Sequence, residues 1–517
     1  MNEIVCSFCF TVLLLDSEKI IFYRLCMKIF GKTSAVRTAL FFLFLIFLSA
    51  LSAQTNHPSF EPLFTTNRNS TGYTADEVFE AGLLFSEIER GSQTWNSCLQ
   101  DFQKIKENVS SEAFMALSEE ERGRTILKYL YNDYLRTYNF DQTRIDLALK
   151  TGFYNCVSSA VIYMAAAKAA GLDVRGQRTT QHAFCSVYVP SAKAGQLKKI
   201  DIETTNPYGF NPGSKEEIEH SDQIKKYYVV PKKYYANRSE VSDGVFVGLI
   251  GGNLTSDYIK SGEYQKAVPL GAARWEAVKA EPGKAAASVR NEFDILAANY
   301  VNLVPDSAAT YFSTLDWFAA FIERWGNNSF LQKKLDTSFI NLLVLCNQEK
   351  NYELAREGYE KYKDKVSASQ ITKADEIITD IIILTATDGL SLEEKLEETN
   401  RLISSEELAA PARQKRAELH LESFWLEELN ALMNSRDYES GYERASLAVN
   451  QLPKSSKIKT MQNGFYNNII AAIHNSFAKE ANAGSFESAQ KILEEGLEIF
   501  PNDRTLKKDL ADLQKIF

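Results

Sequence analysis

Cysteine and histidine are scarce in this chain, and their scarcity limits what the protein can be. Among 517 residues there are 7 cysteines and 5 histidines. Disulfide frameworks belong to short, cysteine-dense domains, so the sequence does not predict one. Paired C-x-x-C ligand knuckles, the usual mark of structural zinc, are absent as well.

An excess of positive charge is also missing. The 58 Lys and Arg residues are outnumbered by 67 Asp and Glu residues, which gives a net charge of -9 and an isoelectric point near 5.4. Without a basic face, the chain is not expected to bind nucleic acid or another polyanion. Its length, with 45% apolar and 24% charged residues, is typical of a globular protein with two or more domains.

The apolar run Ala39 to Leu48 near the N-terminus is short for a membrane span. Basic residues precede it and small residues follow it, which is the order of a secretory signal. Residues 1–53 are therefore predicted to be a signal segment, either cleaved after Ser52 or Ala53 or retained as an anchor. A second apolar patch ahead of Met27 favours Met27 as the start of translation. We expect an exported protein, periplasmic or associated with the cell envelope, that meets a membrane only through an uncleaved N-terminal segment.

Cys156 stands out because of its position at the start of a predicted helix. Gly152 and Asn155 break the helical pattern before it, and Gly171 ends the apolar face after it. A cysteine in the first helical turn lies near unpaired backbone N–H groups and the positive end of the helix dipole. Both favour thiolate over thiol, and the same N–H groups can stabilise an oxyanion. The sequence therefore predicts a nucleophile and part of its oxyanion hole on one piece of backbone.

Two later segments alternate with a period of two and supply the other groups of a thiol site. His182 begins a predicted strand in QHAFCSVYV, and a third strand from Leu197 to Thr205 carries Asp201 and Glu203 on one face. A thiol nucleophile needs a base, and the base needs an orienting partner. Both acids are candidates for that role.

The order of these elements, with the segments YNCVSSA, QHAFCSVYV and IDIETTNP, resembles the transglutaminase-like cysteine peptidase superfamily. The resemblance implies an α+β, papain-like fold of helices and an antiparallel sheet. It also implies that Cys156 is the nucleophile, that His182 is the general base and then the acid, and that the strand acid orients it. The family's acid usually stands two residues before a threonine, as Glu203 does, and Asp201 is the alternative. Papain-like enzymes complete the oxyanion hole with an upstream side chain, for which Tyr154 is the candidate.

Each of these residues also has a plainer interpretation. A buried, unreactive cysteine is among the commonest uses of that residue. A zinc site made of Cys156, His182, Cys185 and His220 is a further alternative, since all four are ligand types. Residues three apart on a strand point to opposite faces, which argues against a shared metal and favours Cys185 in the core. No cofactor or metal is expected.

The catalytic segment is preceded by a short lead and then by helices. Residues 54–73 are polar and turn-rich and are predicted to form a disordered lead. Two capping boxes, which begin at Thr74 and Ser118, precede apolar-periodic runs and predict helices along one wall of the cleft. The transglutaminase-like domain is thus predicted to cover residues 74–238, and a glycine-rich stretch after it marks the junction.

From residue 239 to residue 517 the strand signals stop and amphipathic helices take over. An aromatic residue followed three positions later by Ala or Gly recurs at Tyr264, Tyr352, Tyr438 and Phe486. This spacing lets neighbouring helices approach closely and resembles tetratricopeptide repeats, although the copies are irregularly spaced and the usual unit is about 34 residues. An ordinary helical bundle with aromatic core stripes is the alternative.

Two functions agree with these features. The first is an exported thiol enzyme of transglutaminase-like type, either a cysteine peptidase or amidase or an acyltransferase. It would act on a protein or peptide substrate, with hydrolysis favoured because nothing marks an amine-donor site. The second is a catalytically inactive transglutaminase-like platform whose helical repeats bind a cell-envelope protein partner.

Overall fold

The computed structural model describes residues 57–66, 72–193, 195–224, 230, 235, 237–303 and 307–516. Within them the protein is α+β and mostly helical, with a small antiparallel sheet and a separate two-stranded parallel pair. The predicted signal segment, residues 1–53, lies outside the described residues. In the part of the chain that is described, no helix is both long and apolar enough to cross a membrane.

The elements follow one another in two runs. The first run contains α1 (Ala75–Phe85), α2 (Gln93–Val109), α3 (Glu112–Met115), α4 (Glu119–Asp133), β1 (Thr137–Tyr138), α5 (Ile145–Thr151), β2 (Phe153–Tyr154), α6 (Cys156–Ala169), β3 (Asp173–Arg178), β4 (Ala183–Pro190), β5 (Leu197–Ile202), α7 (Lys215–Glu219), α8 (Ser221–Ile224) and β6 (Ser239–Val241). The second run contains α9 (Asp243–Val247), α10 (Leu249–Ser261), α11 (Tyr264–Val278), α12 (Lys284–Val301), α13 (Ala308–Trp325), α14 (Ser329–Gln348), α15 (Tyr352–Tyr362), α16 (Ala368–Ala386), α17 (Leu392–Ile403), a 3-10 turn (Glu406–Leu408), α18 (Pro411–Ser435), α19 (Tyr438–Gln451), α20 (Ser456–Asn482), α21 (Phe486–Ile499) and α22 (Arg504–Leu513).

The described residues form two compact units. The first comprises residues 57–303 and 316–331, and the second comprises residues 307–315 and 332–516. This division differs from the junction that the sequence placed near residue 239. The reason lies in the core, because Phe246 on α9 and Ile250 on α10 are fully buried in the same apolar cluster as Ile162 on α6.

Helix α6, which begins with Cys156, lies in the core of the first unit. Every residue from Ala160 to Ala167 is fully buried, as expected for a helix that is apolar on all sides and contacts both the sheet and α1. The antiparallel sheet has the strand order β5-β4-β3-β6. Gly176 on β3 lets α9 approach closely, since a Cβ there would lie 2.3 Å from the ring of Phe246.

Several local predictions agree with this structure. Helix α6 starts at Cys156, and Gly171, with a φ of 72°, follows its end. Both predicted capping boxes are formed, at Thr74 and at Ser118. The strands predicted beside His182 and through Asp201 correspond to β4 and β5. The parallel pairing of β1 with β2 was not anticipated, because two-residue strands leave no periodic signal.

Residues 57–66, predicted to belong to a disordered lead, are instead packed on the first unit. The indole nitrogen of Trp317 donates a hydrogen bond of 2.6 Å to the carbonyl of Pro58. The ring of Phe64 packs edge-on against the ring of Phe85, with 4.9 Å between their centroids. The prediction of disorder from polar composition was wrong for these residues, because a few contacts, such as those of Pro58 and Phe64, hold the segment in place.

The four aromatic-and-small segments of the sequence all begin helices. The helices concerned are α11, α15, α19 and α21, which start at Tyr264, Tyr352, Tyr438 and Phe486. In each, the small residue three positions later is buried. Two positions before each aromatic, the backbone is left-handed, at Gly262, Lys350, Arg436 and Gly484. A left-handed residue ends one helix and turns the chain into the next, so each segment starts the second helix of a helix-turn-helix pair.

Arg436 occupies one of these left-handed positions, with a φ of 60°, at a cost that glycine would avoid. Its side chain is exposed. We therefore expect Arg436→Gly to stabilise the second unit by about 1 kcal/mol, measured as the change in free energy of unfolding in urea. Gly484→Ala is the matched control, because a Cβ at Gly484 would meet nothing within 4 Å and only the backbone term would change. It should destabilise by a similar amount, and equal signs for the two variants would contradict the argument.

Candidate active site

The first turn of α6 presents Cys156 to a cleft. The Asn155 side chain caps the helix by accepting hydrogen bonds of 3.0 Å from the backbone N–H groups of Val157 and Ser158. This cap uses the second and third N–H groups of the helix but not that of Cys156 itself. The thiol is partly exposed. The sulfur and the backbone N–H of Cys156 therefore lie at the N-terminal end of α6, where the helix dipole favours negative charge.

His182 stands at the start of β4, held by a tight turn. The backbone N–H of Thr179 donates to the carbonyl of His182 at 2.8 Å. The imidazole contacts the rings of Phe184 and Tyr235, with centroid distances of 5.9 and 6.0 Å, and these two rings also contact each other at 5.3 Å. Its Nε2 lies 2.7 Å from a carboxylate oxygen of Glu203, which leaves Nδ1 for the Cys156 sulfur.

The charge on His182 follows from these neighbours. Burial lowers the pKa of His182, but the charge of Glu203, together with hydrogen bonds to Cys156 and Glu203, outweighs burial and raises the pKa to about 10. The imidazole is therefore protonated at neutral pH. A protonated imidazole beside a sulfur can donate its proton to a leaving group.

Glu203 is buried with nearly all its oxygen lone pairs satisfied. One oxygen accepts from the backbone N–H and the hydroxyl of Thr205, at 3.1 and 2.8 Å, and the other accepts from the hydroxyl of Tyr235 at 2.5 Å as well as from His182. Burial raises the pKa of Glu203, but His182 and these donors together lower it below its ordinary value. The carboxylate therefore stays ionised while buried, as an orienting acid must.

Gly209 allows the acid to take this position. The backbone N–H of Glu203 donates to the carbonyl of Gly209 at 2.8 Å. A Cβ on Gly209 would lie 2.0 Å from the backbone oxygen of Glu203. The loop that follows β5 can therefore adopt this conformation only with glycine at position 209.

Asp201, the alternative orienting acid, does not contact His182. Its carboxylate accepts from the hydroxyl of Ser186 at 2.7 Å and pairs with the guanidinium of Arg238. Asp201 and Glu203 do point to one face, since they bond to Ser186 and His182, which alternate onto the same side of the neighbouring segment. Asp201 lies directly opposite Ser186 in the ladder, and only Glu203 reaches His182. The geometry selects Glu203 over Asp201.

A group of hydroxyls ties the loop that follows β5, which contains Glu203 to Gly209, to helix α6. Ser159, one turn after Cys156, lies 2.9 Å from the hydroxyl of Thr204. The hydroxyl of Tyr131 donates to the carbonyl of Thr204 at 2.8 Å, and that of Tyr154 donates to the carbonyl of Thr205 at 3.1 Å. Tyr154 is fully buried, so it does not reach the cleft as an oxyanion donor. The tyrosine that lines the cleft is Tyr138.

The cleft beside Cys156 has a volume of about 480 Å³. Phe140, which is 74% exposed, lies on its rim and offers an apolar contact next to the sulfur. The opposite wall is one face of α10, which the sequence analysis assigned to another domain. The residues of that face are Leu249, Asn253, Ser256, Asp257 and Lys260. Their spacing of three or four is the helical period, and it could have indicated a shared face but not what that face contacts.

The zinc alternative has no support in the geometry. Cys185 is fully buried and its thiol donates to the carbonyl of Ala160 at 3.4 Å. His220 stacks on the ring of Tyr208, with 4.1 Å between centroids. Within the described ranges, no group of three or more His, Cys, Asp or Glu side chains is arranged to hold a metal ion.

Cys156 differs from the other cysteines of the described chain. All four are free thiols, and Cys98, Cys185 and Cys346 are buried. Burial raises the pKa of Cys98 to about 11 and that of Cys346 to about 12, and it also raises the pKa of Cys185. A thiol reagent at neutral pH should therefore select Cys156.

Comparison with known proteins adds little to this picture. No protein-family model matches the chain, and no curated protein matches it. A crystal structure of menin, described as revealing its binding site for the Mixed Lineage Leukemia protein, aligns at 12% identity over 66% of this chain and 90% of menin. The TM-score of that alignment is 0.25, which is too low to indicate a common fold.

Proposed function

We propose that this protein is an exported thiol enzyme of transglutaminase-like type that hydrolyses an amide or peptide bond. The observation that carries the proposal is the buried hydrogen bond of 2.7 Å between His182 and Glu203, with Cys156 close enough to the same imidazole to contribute to its raised pKa. A papain-like arrangement of the first unit and a tetratricopeptide-like character of the later helices belong to the same proposal.

The chemistry follows from the charges. The Cys156 thiolate attacks the carbonyl carbon of the substrate and forms a C–S bond, while the helix-start N–H of Cys156 stabilises the oxyanion. The His182 imidazolium then gives its proton to the leaving nitrogen as the C–N bond breaks. The neutral imidazole next takes a proton from water, which attacks the thioester. A carboxylic acid leaves, and the thiolate–imidazolium pair is restored.

Thiol labelling tests the proposal on the full chain. We expect iodoacetamide at neutral pH to modify Cys156 in a fast phase, detected by peptide mass spectrometry, and Cys156→Ala to abolish that phase. Cys346→Ala is the matched control, since it removes a buried thiol of the second unit and should leave the fast phase intact. Cys156→Ala should also abolish turnover of p-nitrophenyl acetate. Cys346→Ala should retain that turnover and form an acetyl-Cys156 intermediate.

Two results would count against an enzyme. Fast labelling that survives Cys156→Ala would place the reactive thiol elsewhere. Labelling of Cys156 at the rate of an ordinary thiol, whose pKa is near 8.5, would favour the inactive platform with a partner bound to its helices.

A further inference from the structure

The cleft at Cys156 continues past the turn that carries His182. Arg178, Thr179 and Thr180 line the cleft on one side and a second cavity of about 650 Å³ on the other. The second cavity runs between β6 and the segment that joins α11 to α12. Each cavity alone has the volume of an ordinary small-molecule pocket, roughly 300–1,000 Å³. The two cavities, which meet at these three shared residues, are together called the groove.

Strand β6 gives this groove a backbone edge. It pairs with β3 on its inner side, with Ser239 opposite Arg178 and Val241 opposite Gly176. It is the last strand of the sheet, and among the described residues no backbone hydrogen bond is made to its outer side. An edge strand offers a row of N–H and C=O groups to any extended chain that lies beside it.

The floor and the far end of the groove are fixed by polar contacts. Arg178 is held by Glu292 at 2.9 Å, and Glu292 also binds the buried guanidinium of Arg274 at 2.8 Å. At the end farthest from Cys156, the hydroxyl of Ser242 bonds to Glu281. The groove thus extends along β6 from the contact between Ser242 and Glu281 to the thiol of Cys156.

We propose that the substrate is an extended, unfolded polypeptide segment that pairs with the outer edge of β6, crosses the turn at Thr179 and Thr180, and presents an amide to Cys156. The inference rests on the proposed function and specifies its substrate class. Polypeptide is the occupant that fits, because its alternating donors and acceptors match a strand edge, whereas a small amide would fill only the cleft. The exposed ring of Phe140 then meets a substrate side chain near the reacting carbonyl.

Two probes separate the groove from the chemistry. Reduced, alkylated and fluorescently labelled casein is an unfolded polypeptide, and p-nitrophenyl acetate reaches only the cleft. Lys284, exposed on the groove wall at the start of α12, is replaced by tryptophan to fill the groove. Lys104→Trp, at an exposed lysine of α2 outside both cavities, is the matched control. We expect Lys284→Trp to lower kcat/KM on casein by about tenfold or more through lost backbone pairing, with p-nitrophenyl acetate unchanged. Lys104→Trp should leave both reactions within about twofold of the parent.

Three outcomes would overturn the groove: equal losses on both probes, no loss on casein, or turnover of the ester without any turnover of casein. If neither probe is turned over in a Cys156-dependent way, the proposed function fails and a binding measurement decides the groove separately. Hydrogen exchange of the full-length Cys156→Ala chain with unlabelled reduced and alkylated casein then reads β6 directly. Slower exchange at residues 239–242 supports the groove, and unchanged exchange refutes it.

Discussion

Glu203→Gln is expected to slow turnover of p-nitrophenyl acetate by about 100-fold or more, because the base that resolves the thioester loses its orienting charge. Without the carboxylate, burial is left as the main influence on His182 and lowers its pKa. The imidazole then becomes neutral at pH 7, and the thiolate loses its positive neighbour. Alkylation of Cys156 should slow as well and should rise steeply with pH, as for an ordinary thiol. The measurements are steady-state turnover and the rate of iodoacetamide modification from pH 5 to 10.

Asp201→Asn is the matched control for this variant. Asp201 lies two residues from Glu203 and bonds to Ser186 and Arg238 rather than to His182. The same change from acid to amide should therefore leave turnover and alkylation within about twofold of the parent. Equal losses in both variants would mean that the acids act through general electrostatics rather than through the hydrogen bond to His182.

The same substitution should change how stability depends on pH. The pKa of His182 rises from 6.5 to about 10 on folding, so its contribution to stability is complete below pH 6.5 and disappears as the pH rises through 10. The pKa of Glu203 falls below 4.5 on folding, so its contribution is present above pH 4.5 and disappears in stronger acid. The loss of unfolding free energy in Glu203→Gln, roughly 3–5 kcal/mol for a broken buried pair, should be largest between those limits and shrink toward pH 10. A loss that is independent of pH would contradict the ion pair.

Gly441→Ala is expected to destabilise the second unit by about 1–3 kcal/mol or more, although alanine is the better helix former. A Cβ at Gly441 on α19 would lie 2.1 Å from the ring of Phe465 on α20, and that ring is fully buried. Neither helix can keep its place with the extra methyl group. The free energy of local unfolding, measured by hydrogen exchange of the α19 and α20 amides, reports the effect.

Gly464→Ala is the control of opposite sign. Gly464 also lies inside α20, but a Cβ there meets only the flexible end of Met433, at 3.3 Å. Alanine should therefore stabilise this helix by up to about 1 kcal/mol. If both substitutions stabilise the protein, the close contact between Gly441 on α19 and Phe465 on α20 does not set the distance between these helices.

The sequence predicts local features of this protein well. The start of α6 at Cys156 follows from a break and an apolar run, and the starts of α1 and α4 follow from the capping boxes at Thr74 and Ser118. These features depend on a few neighbouring residues, whose capping and turn preferences are local. The small residue at position 441 likewise predicted a close approach between helices, although the sequence did not show that the contact would be with Phe465.

What the sequence left open depends on contacts between distant segments. Glu203 and Asp201 are equivalent by strand alternation, and only their positions opposite β4 and the approach of Gly209 separate them. The wall of the cleft formed by α10 and the backbone edge of β6 arise from packing, which no single segment encodes. The anchoring of residues 57–66 was missed for the same reason.

The hydroxyl link between Ser159 and Thr204 has a consequence for the life of the chain before it folds. Until the loop beyond β5 docks on α6, nothing in the surroundings of Cys156 sets it apart from the other six cysteines of the chain. The newly made polypeptide therefore carries no activated thiol that could react with its own chain or with neighbouring proteins. During refolding, the rate at which a pulse of alkylating reagent modifies Cys156 would rise when the loop docks. That rate would therefore report completion of the native state.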